Sequence, residues 1–234
     1  MKRISVFVVA AIVAAGVSAT SCDSKKSVNL KTATDSASYA LGLANGEGFA
    51  ANLKTFPGKP IDIDLLLAGM EQGMKSDTAS YKMTTADAQN FIQSYFMRVQ
   101  AEELGDIKAE GDKFLENNKT KAGIITTESG LQYQVITEGD GEKPTAEDRV
   151  KVHYTGTLLD GTTFDSSYDR GEPAEFALNS VIRGWTEGIQ IMPVGSKYIF
   201  WIPSDLAYGD RAAGQDIKPG STLKFEVELL DIVK

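Results

Sequence analysis

The stretch from Val150 to Trp185, VKVHYTGTLLDGTTFDSSYDRGEPAEFALNSVIRGW, gathers Tyr154, Phe164, Phe176, Val181, Ile182 and Trp185 around one short carboxylate, Asp165. It contains no cysteine, no metal-ligand cluster and no serine at motif spacing from a base. A hydrolase needs a nucleophile with a base in reach, and no such pair is present. The only histidine, His153, alternates with Val152 and Tyr154 and falls on the polar face of its strand. It lacks the positioned partner that a general base requires. A site this apolar works by enclosing its substrate. No metal and no cofactor are expected.

The elements that must hold these residues follow from periodicity. VKVHYTG, LQYQVI and LKFEVELL alternate with period two, the mark of half-buried strands. In the first, Val150, Val152 and Tyr154 share a face; in the last, Leu223, Phe225, Val227 and Leu229 do. Gly- and Pro-bearing turns at 138–144 and 158–164 separate them. EGIQIMPVG at 187–195 is expected to contain the one short helix of this region. Trp201 alternates away from Phe200 and Ile202 and reads as structural.

The first half of the chain is helical in pattern. A first helix capped by Asp35 or Ser36 runs to about Asn52 and carries Tyr39, Leu41, Leu43 and Phe49. TFPGKP is a turn, and a second helix from Asp62 spaces Ile63, Leu66, Leu67, Met70 and Met74 along one side. Thr84 or Thr85 caps a third, on which Ala88, Ile92, Tyr95 and Val99 form a stripe widened by Phe91 and Phe96. That face is too broad for three short helices to cover, so a second copy of the chain is the expected partner. Beyond Leu104 the pattern thins, and Gly105 and Gly111 interrupt a charged helix leading to the next domain.

Residues 1–22 have the layout of a signal peptide: Lys2 and Arg3, an apolar run from Ile4 to Val17, then small residues and Cys22. The run falls short of the roughly 20 apolar residues of a membrane span. Cys22 is the only cysteine, which leaves no disulfide, and its ATSC context resembles a bacterial lipobox with Ala19 where leucine is usual. The formal charge of −8 and a pI near 4.8 oppose nucleic-acid binding.

VHYTG, DGTTFDSS, VIRGW, IPSDLAYG at 202–209 and LKFEVELL occur in an order and spacing that closely resemble the FK506-binding-protein (FKBP) class of peptidyl-prolyl cis/trans isomerases. SYALG, the paired Gly69–Met70 and Gly73–Met74, and GDKFLENN leading into SGLQY resemble its Mip/FkpA-like subclass of bacterial envelope isomerases. The resemblance implies an α+β chain: a signal peptide at 1–21, a lipidated tether at 22–34, an all-helical dimerisation domain with linker helix at 35–121, and at 122–234 an antiparallel sheet wrapped around a short helix. It implies that Asp165 and Tyr208 take the catalytic role. Tyr154, Phe164, Phe176, Val181, Ile182, Trp185, Ile217 and Phe225 would bind the proline, with Trp185 as floor. The Ile182 N–H and the Tyr208 hydroxyl would hold substrate carbonyls, and Arg170 would pair with Asp165 or steady its loop. Ala174 departs from a phenylalanine, and Ala213 from a histidine, of the small members. The implied partners are proline-containing or unfolded polypeptides, a second copy through the helices, and a membrane through lipid on Cys22. The implied location is the bacterial envelope, on the periplasmic side of the outer membrane. The rival reading is a dimeric holdase that binds extended chains in the same cleft without appreciable catalysis.

Overall fold

The computed structural model describes residues 28–233; the signal-peptide and Cys22 readings lie outside them. The chain divides into two compact units, one through Phe56 and one from Pro57 onward. The described part of the first is a single helix, α1 (Ala33–Leu53). Its cap is Thr32, earlier than the sequence suggested, because Thr32 and Asp35 form a reciprocal box. The Asp35 N–H donates to Thr32 Oγ1 at 3.1 Å, and the Thr32 N–H donates to the Asp35 carboxylate at 2.8 Å. No side chain of α1 is buried, and Tyr39, Leu41, Leu43 and Phe49 are all exposed.

The second unit opens with α2 (Ile63–Lys75), capped by Asp62, and α3 (Thr85–Asn118), capped by Thr84. Gly105 and Gly111 do not interrupt α3, which runs unbroken for 34 residues. Gly111 has a packing reason: a Cβ there would lie 2.4 Å from Thr222 Oγ1, so only glycine lets the helix cross the sheet domain this closely.

Seven strands follow: β1 (Ile124–Thr126), β2 (Gln132–Thr137), β3 (Arg149–Thr157), β4 (Thr163–Ser166), β5 (Ala174–Ala177), β6 (Lys197–Ile202) and β7 (Leu223–Val233). They form one antiparallel sheet in the order β1-β2-β6-β7-β3-β4, with β5 also paired to β3. The alternation is realised on two of the three segments: Val150, Val152 and Tyr154 on β3, and Leu223, Phe225, Val227 and Leu229 on β7, are buried, whereas on LQYQVI neighbours share an environment, Leu131 and Gln132 buried and Val135 and Ile136 exposed, as the strand runs out of the core. Tyr154 sits opposite Val227, and Gly156 opposite Phe225. Trp201 is buried in β6, as a structural residue would be.

The short helix, α4 (Arg183–Gln190), starts and ends earlier than the sequence suggested. Its first turn lies inside VIRGW, where the Ile182 carbonyl accepts the N–H groups of Trp185 and Thr186 at 2.9 and 3.1 Å. Gly184, Trp185, Gly188 and Ile189 form its buried side. A Cβ at Gly188 would come within 2.7 Å of the Phe200 ring, so the helix lies flush on β6 and seats Trp185 at the centre of the sheet's inner face.

Candidate functional site

Trp185 is buried, and three rings meet it edge-on. The Tyr154, Phe176 and Phe225 centroids lie 5.0, 5.3 and 5.2 Å from it, at 89°, 89° and 79°. Phe164 stands edge-on to Phe225 at 5.4 Å. β3, β4, β5, β7 and α4 each supply one ring, so the box exists only when the whole sheet is assembled. The arrangement places the positive edges of the rings against a negative face, the favourable geometry for aromatic clusters. The Trp185 indole N–H is buried without a hydrogen-bond partner.

The box opens into a cleft of about 610 Å³. It brings together every residue given a catalytic or proline-binding role above: Tyr154, Phe164, Asp165, Phe176, Val181, Ile182, Trp185, Tyr208, Ile217 and Phe225 all line it, whereas Arg170 does not. Ala213 also lines it. Ala174 packs against the core, while its neighbour but one, Phe176, reaches the cleft. Sequence reasoning missed Ser180, Gly214, Gln215 and Asp216, which complete the lining. The available signal was their position between Tyr208 and Ile217, or directly before Val181.

One wall is a polar triad. The Tyr154 hydroxyl donates to Asp165 Oδ2, and the Arg170 guanidinium donates to Asp165 Oδ1. Arg170 also donates to the Tyr154 hydroxyl oxygen at 2.9 Å, with its guanidinium carbon 5.5 Å above the Tyr154 ring. Burial, reinforced by the hydrogen bond to Asp165, pushes the Tyr154 phenol up to about 12. It therefore remains a hydrogen-bond donor at neutral pH. Asp165 is not enclosed as the sequence suggested: its side chain is 43 % exposed, because it stands at the mouth of an open cleft.

Two residues of the lining carry unengaged donors. Among the described residues neither the Ile182 N–H nor the Tyr208 hydroxyl has a hydrogen-bond partner, and Tyr208 is 42 % exposed. Ile182 precedes the first turn of α4, where backbone N–H groups have no intrahelical acceptor. His153 stands behind the site, stacked on Tyr168 at 4.4 Å, with Nδ1 at 2.9 Å from Ser167 Oγ. It is half-buried, not fully solvated, and has in Ser167 a hydroxyl partner that the sequence did not suggest; Ser167 is fully buried and neither residue lines the cleft.

The flap that closes the cleft's far side, residues 209–222, is held at its base. The Gly220 N–H donates to the Gly209 carbonyl at 2.9 Å. From α3, Lys108 Nζ reaches Asp210 at 2.7 Å and Glu103 reaches Lys218 Nζ at 2.7 Å.

Comparison with known proteins agrees with this geometry. A family model described as FKBP-type peptidyl-prolyl cis-trans isomerase matches residues 140–230, and one for the domain amino-terminal to it matches residues 34–135. The chain is 46 % identical over 215 residues to the FKBP-type peptidyl-prolyl cis-trans isomerase FkpA of Aeromonas hydrophila, covering 87 % of this chain and 78 % of that one. It is 40 % identical over 215 residues to the outer membrane protein MIP of Legionella longbeachae, covering 88 % of each. Among solved structures, FkpA from Escherichia coli superposes with a TM-score of 0.71 at 37 % identity, over 87 % of this chain and 98 % of that one.

Proposed function

The chain belongs to the FKBP-type peptidyl-prolyl cis-trans isomerases, and from that premise we propose which of its atoms carry the isomerisation. The reaction is rotation about an X–Pro amide. Its barrier of about 18–20 kcal/mol comes from the partial double-bond character of the C–N bond. The planar amide is stabilised by charge separation that water favours. In the ring box around Trp185 that solvation is lost, and the twisted amide, being less charge-separated, loses less. The cleft thus binds the transition state in preference to the ground state. The Ile182 N–H and the Tyr208 hydroxyl hold flanking carbonyls, while the Tyr154–Asp165–Arg170 triad fixes the wall. No nucleophile is needed, since a thousandfold acceleration requires only about 4 kcal/mol. The observation that carries this assignment is the aromatic box opening beside two unengaged donors. The full chain is expected to accelerate a prolyl peptide and a proline-limited refolding reaction, and Trp185→Ala to lower kcat/KM at least tenfold. Full activity in Trp185→Ala would move the site elsewhere. A holdase acting without isomerisation has no observation of its own in its favour.

The helices support a homodimer. Leu65, Leu67, Met70 and Met74 on α2, and Phe91, Ile92 and Met97 on α3, are all exposed, and α2 buries nothing. So much unpartnered apolar surface marks an interface. A second copy seated on it through a two-fold axis buries the same patch on both subunits. Tyr95 and Phe96 are half-covered within their own chain, so the cleaner variants are Phe91→Asp and Ile92→Asp. Each is expected to weaken the dimer at least a hundredfold, read by sedimentation, because a buried unpaired charge costs several kcal/mol. Peptide isomerisation should persist in the monomer. Suppression of aggregation should fall, because paired clefts capture one client at high effective concentration. A wild-type chain that is monomeric at micromolar concentration would refute the dimer. The single cysteine of the ATSC sequence and the relative named as an outer membrane protein support a lipid-anchored position in the bacterial envelope, on the periplasmic side of the outer membrane. The two family matches, ending at 135 and beginning at 140, support a helical part followed by an isomerase part.

A further inference from the structure

The cleft changes character across its mouth. The walls from the sheet and α4 are aromatic and aliphatic, whereas the flap presents Gln215 and Asp216. Two carboxylates line the cleft, and only one is neutralised. Asp165 is engaged by Arg170 and Tyr154. Asp216 makes no hydrogen bond or ion pair among the described residues, and no lysine or arginine lines the cleft. The nearest cation along the flap, Lys218, is turned to Glu103 at 2.7 Å. Arg211, further back on the same loop, does not line the cleft.

Asp216 is also held in place. Ala213 and Ile217 form an antiparallel bridge, with the Ala213 N–H donating to the Ile217 carbonyl at 2.9 Å and the Ile217 N–H returning to Ala213 at 3.3 Å. Gly214, Gln215 and Asp216 form the tip of that turn, and Gly214 has a φ of +61°. Ile217 is buried in the core cluster, which anchors the turn from behind. The backbone that carries Asp216 is therefore anchored, and its exposed carboxylate stands at the edge of the cleft, on a protein whose formal charge is already −8.

We propose that Asp216 is a specificity residue, and that this isomerase favours X–Pro segments carrying lysine or arginine beside the proline. The proposal rests on the cleft being the isomerase site. The aromatic box takes the proline ring whatever its neighbours are, and the flap carboxylate then distinguishes a cationic flanking side chain from a neutral or acidic one. Opposite charges a few ångströms apart at a solvated rim support a preference of about three- to fivefold. The preference is electrostatic, so salt erases it.

The test uses the full chain and two peptide series, with lysine, norleucine or glutamate placed before the proline in one and after it in the other. Norleucine keeps an aliphatic stem close to that of lysine and lacks the ammonium. The readout is the ratio of kcat/KM for lysine to that for norleucine. In one series this ratio is expected to reach about three to five at low ionic strength and to approach one near 0.5 M salt. Glutamate is expected to fall below norleucine. Asp216→Asn should bring the ratio to about one, and Asp216→Lys should reverse it in favour of glutamate. A loss of packing alone would change all three peptides together and leave the ratio intact. Equal rates for lysine and norleucine in both series would overturn the proposal while leaving the site assignment untouched. So would a lysine preference that survives in Asp216→Asn, which would trace it to the protein's overall charge. If no peptide is isomerised, the site assignment and the preference fall together.

Discussion

Asp165→Ala is expected to lower kcat/KM on a short prolyl peptide about tenfold or more, with a change in fold stability below about 1 kcal/mol. The carboxylate accepts hydrogen bonds from both the Tyr154 hydroxyl and the Arg170 guanidinium, and those two groups are linked directly at 2.9 Å. Hydrogen bonds to a charged group contribute about 1.5–3 kcal/mol each when protected from water. With the side chain 43 % exposed, the lower end of that range applies, and one such bond corresponds to roughly tenfold. Removing the carboxylate frees Arg170 and leaves a phenol without its acceptor in the wall of the cleft. The damage falls on the geometry of the binding site, because the sheet beneath is held by the apolar face of β3 and β7. Asp165→Asn keeps the shape and one acceptor oxygen, so it should fall between wild type and alanine. Tyr208→Phe removes one unengaged donor and should have a smaller effect, about threefold to tenfold. Full activity in Asp165→Ala and Tyr208→Phe together, with the fold intact by circular dichroism, would displace the site from this cleft.

The residues of the cleft were legible because their motifs are local and two of the strands that carry them, β3 and β7, alternate cleanly. Val150, Val152 and Tyr154 could be placed on one face from the period-two pattern alone, and they are buried there. What stayed hidden depended on contacts between distant segments. Gly111 looked like a helix breaker, since glycine is unfavourable in a helix interior. Only the crossing against Thr222 shows why it is there. The start of α4 was placed too late, within 187–195, because its first turn carries no side-chain cap: the Ile182 backbone turns into the helix while Val181 and Ile182 line the cleft. Asp165 looked enclosed because aromatic residues surround it in sequence, whereas in space its side chain is 43 % exposed and engaged by Tyr154 and Arg170. Asp216 gave only the signal of its position between Tyr208 and Ile217, since by type a lone carboxylate in a Gly-containing loop reads as an ordinary solvated turn.

The join between α3 and the sheet leads to the second large effect. A fragment of residues 122–234, the isomerase part suggested by the change of period, is expected to unfold at a temperature about 10–25 °C below that of a fragment of residues 101–234. The end of α3 is part of the sheet domain's structure. Leu115 and Asn118 are buried, and Asn118 Nδ2 donates to Gln132 Oε1 at 3.0 Å. Gln132 Nε2 in turn donates at 2.8 Å to the Leu115 carbonyl, which also accepts the Lys119 N–H at 3.0 Å, so the side chain ties the sheet to the last turn of the helix. Losing the Leu115 burial costs about 1.5–3 kcal/mol. The two amide hydrogen bonds add about 0.5–1.5 kcal/mol each, since truncation lets water reach Gln132. The ion pairs from Lys108 and Glu103 to the flap are exposed and add little to stability. A total of roughly 3–5 kcal/mol is a large share of the 5–15 kcal/mol typical of a domain, so the shorter fragment should fold but marginally. A domain of just over 100 residues falls between the size classes and shifts by about 3–5 °C per kcal/mol, so the melting midpoint falls by about 10–25 °C. Asn118→Ala in the full chain isolates the network: it leaves Gln132 Oε1 buried without its donor, while Nε2 keeps the Leu115 carbonyl, at a cost of about 1–3 kcal/mol. Thermal melts of the two fragments and urea titration of the variant measure these differences. Midpoints for the two fragments within about 2 °C of each other would show that the isomerase domain ends at the sheet and that α3 merely leads to it.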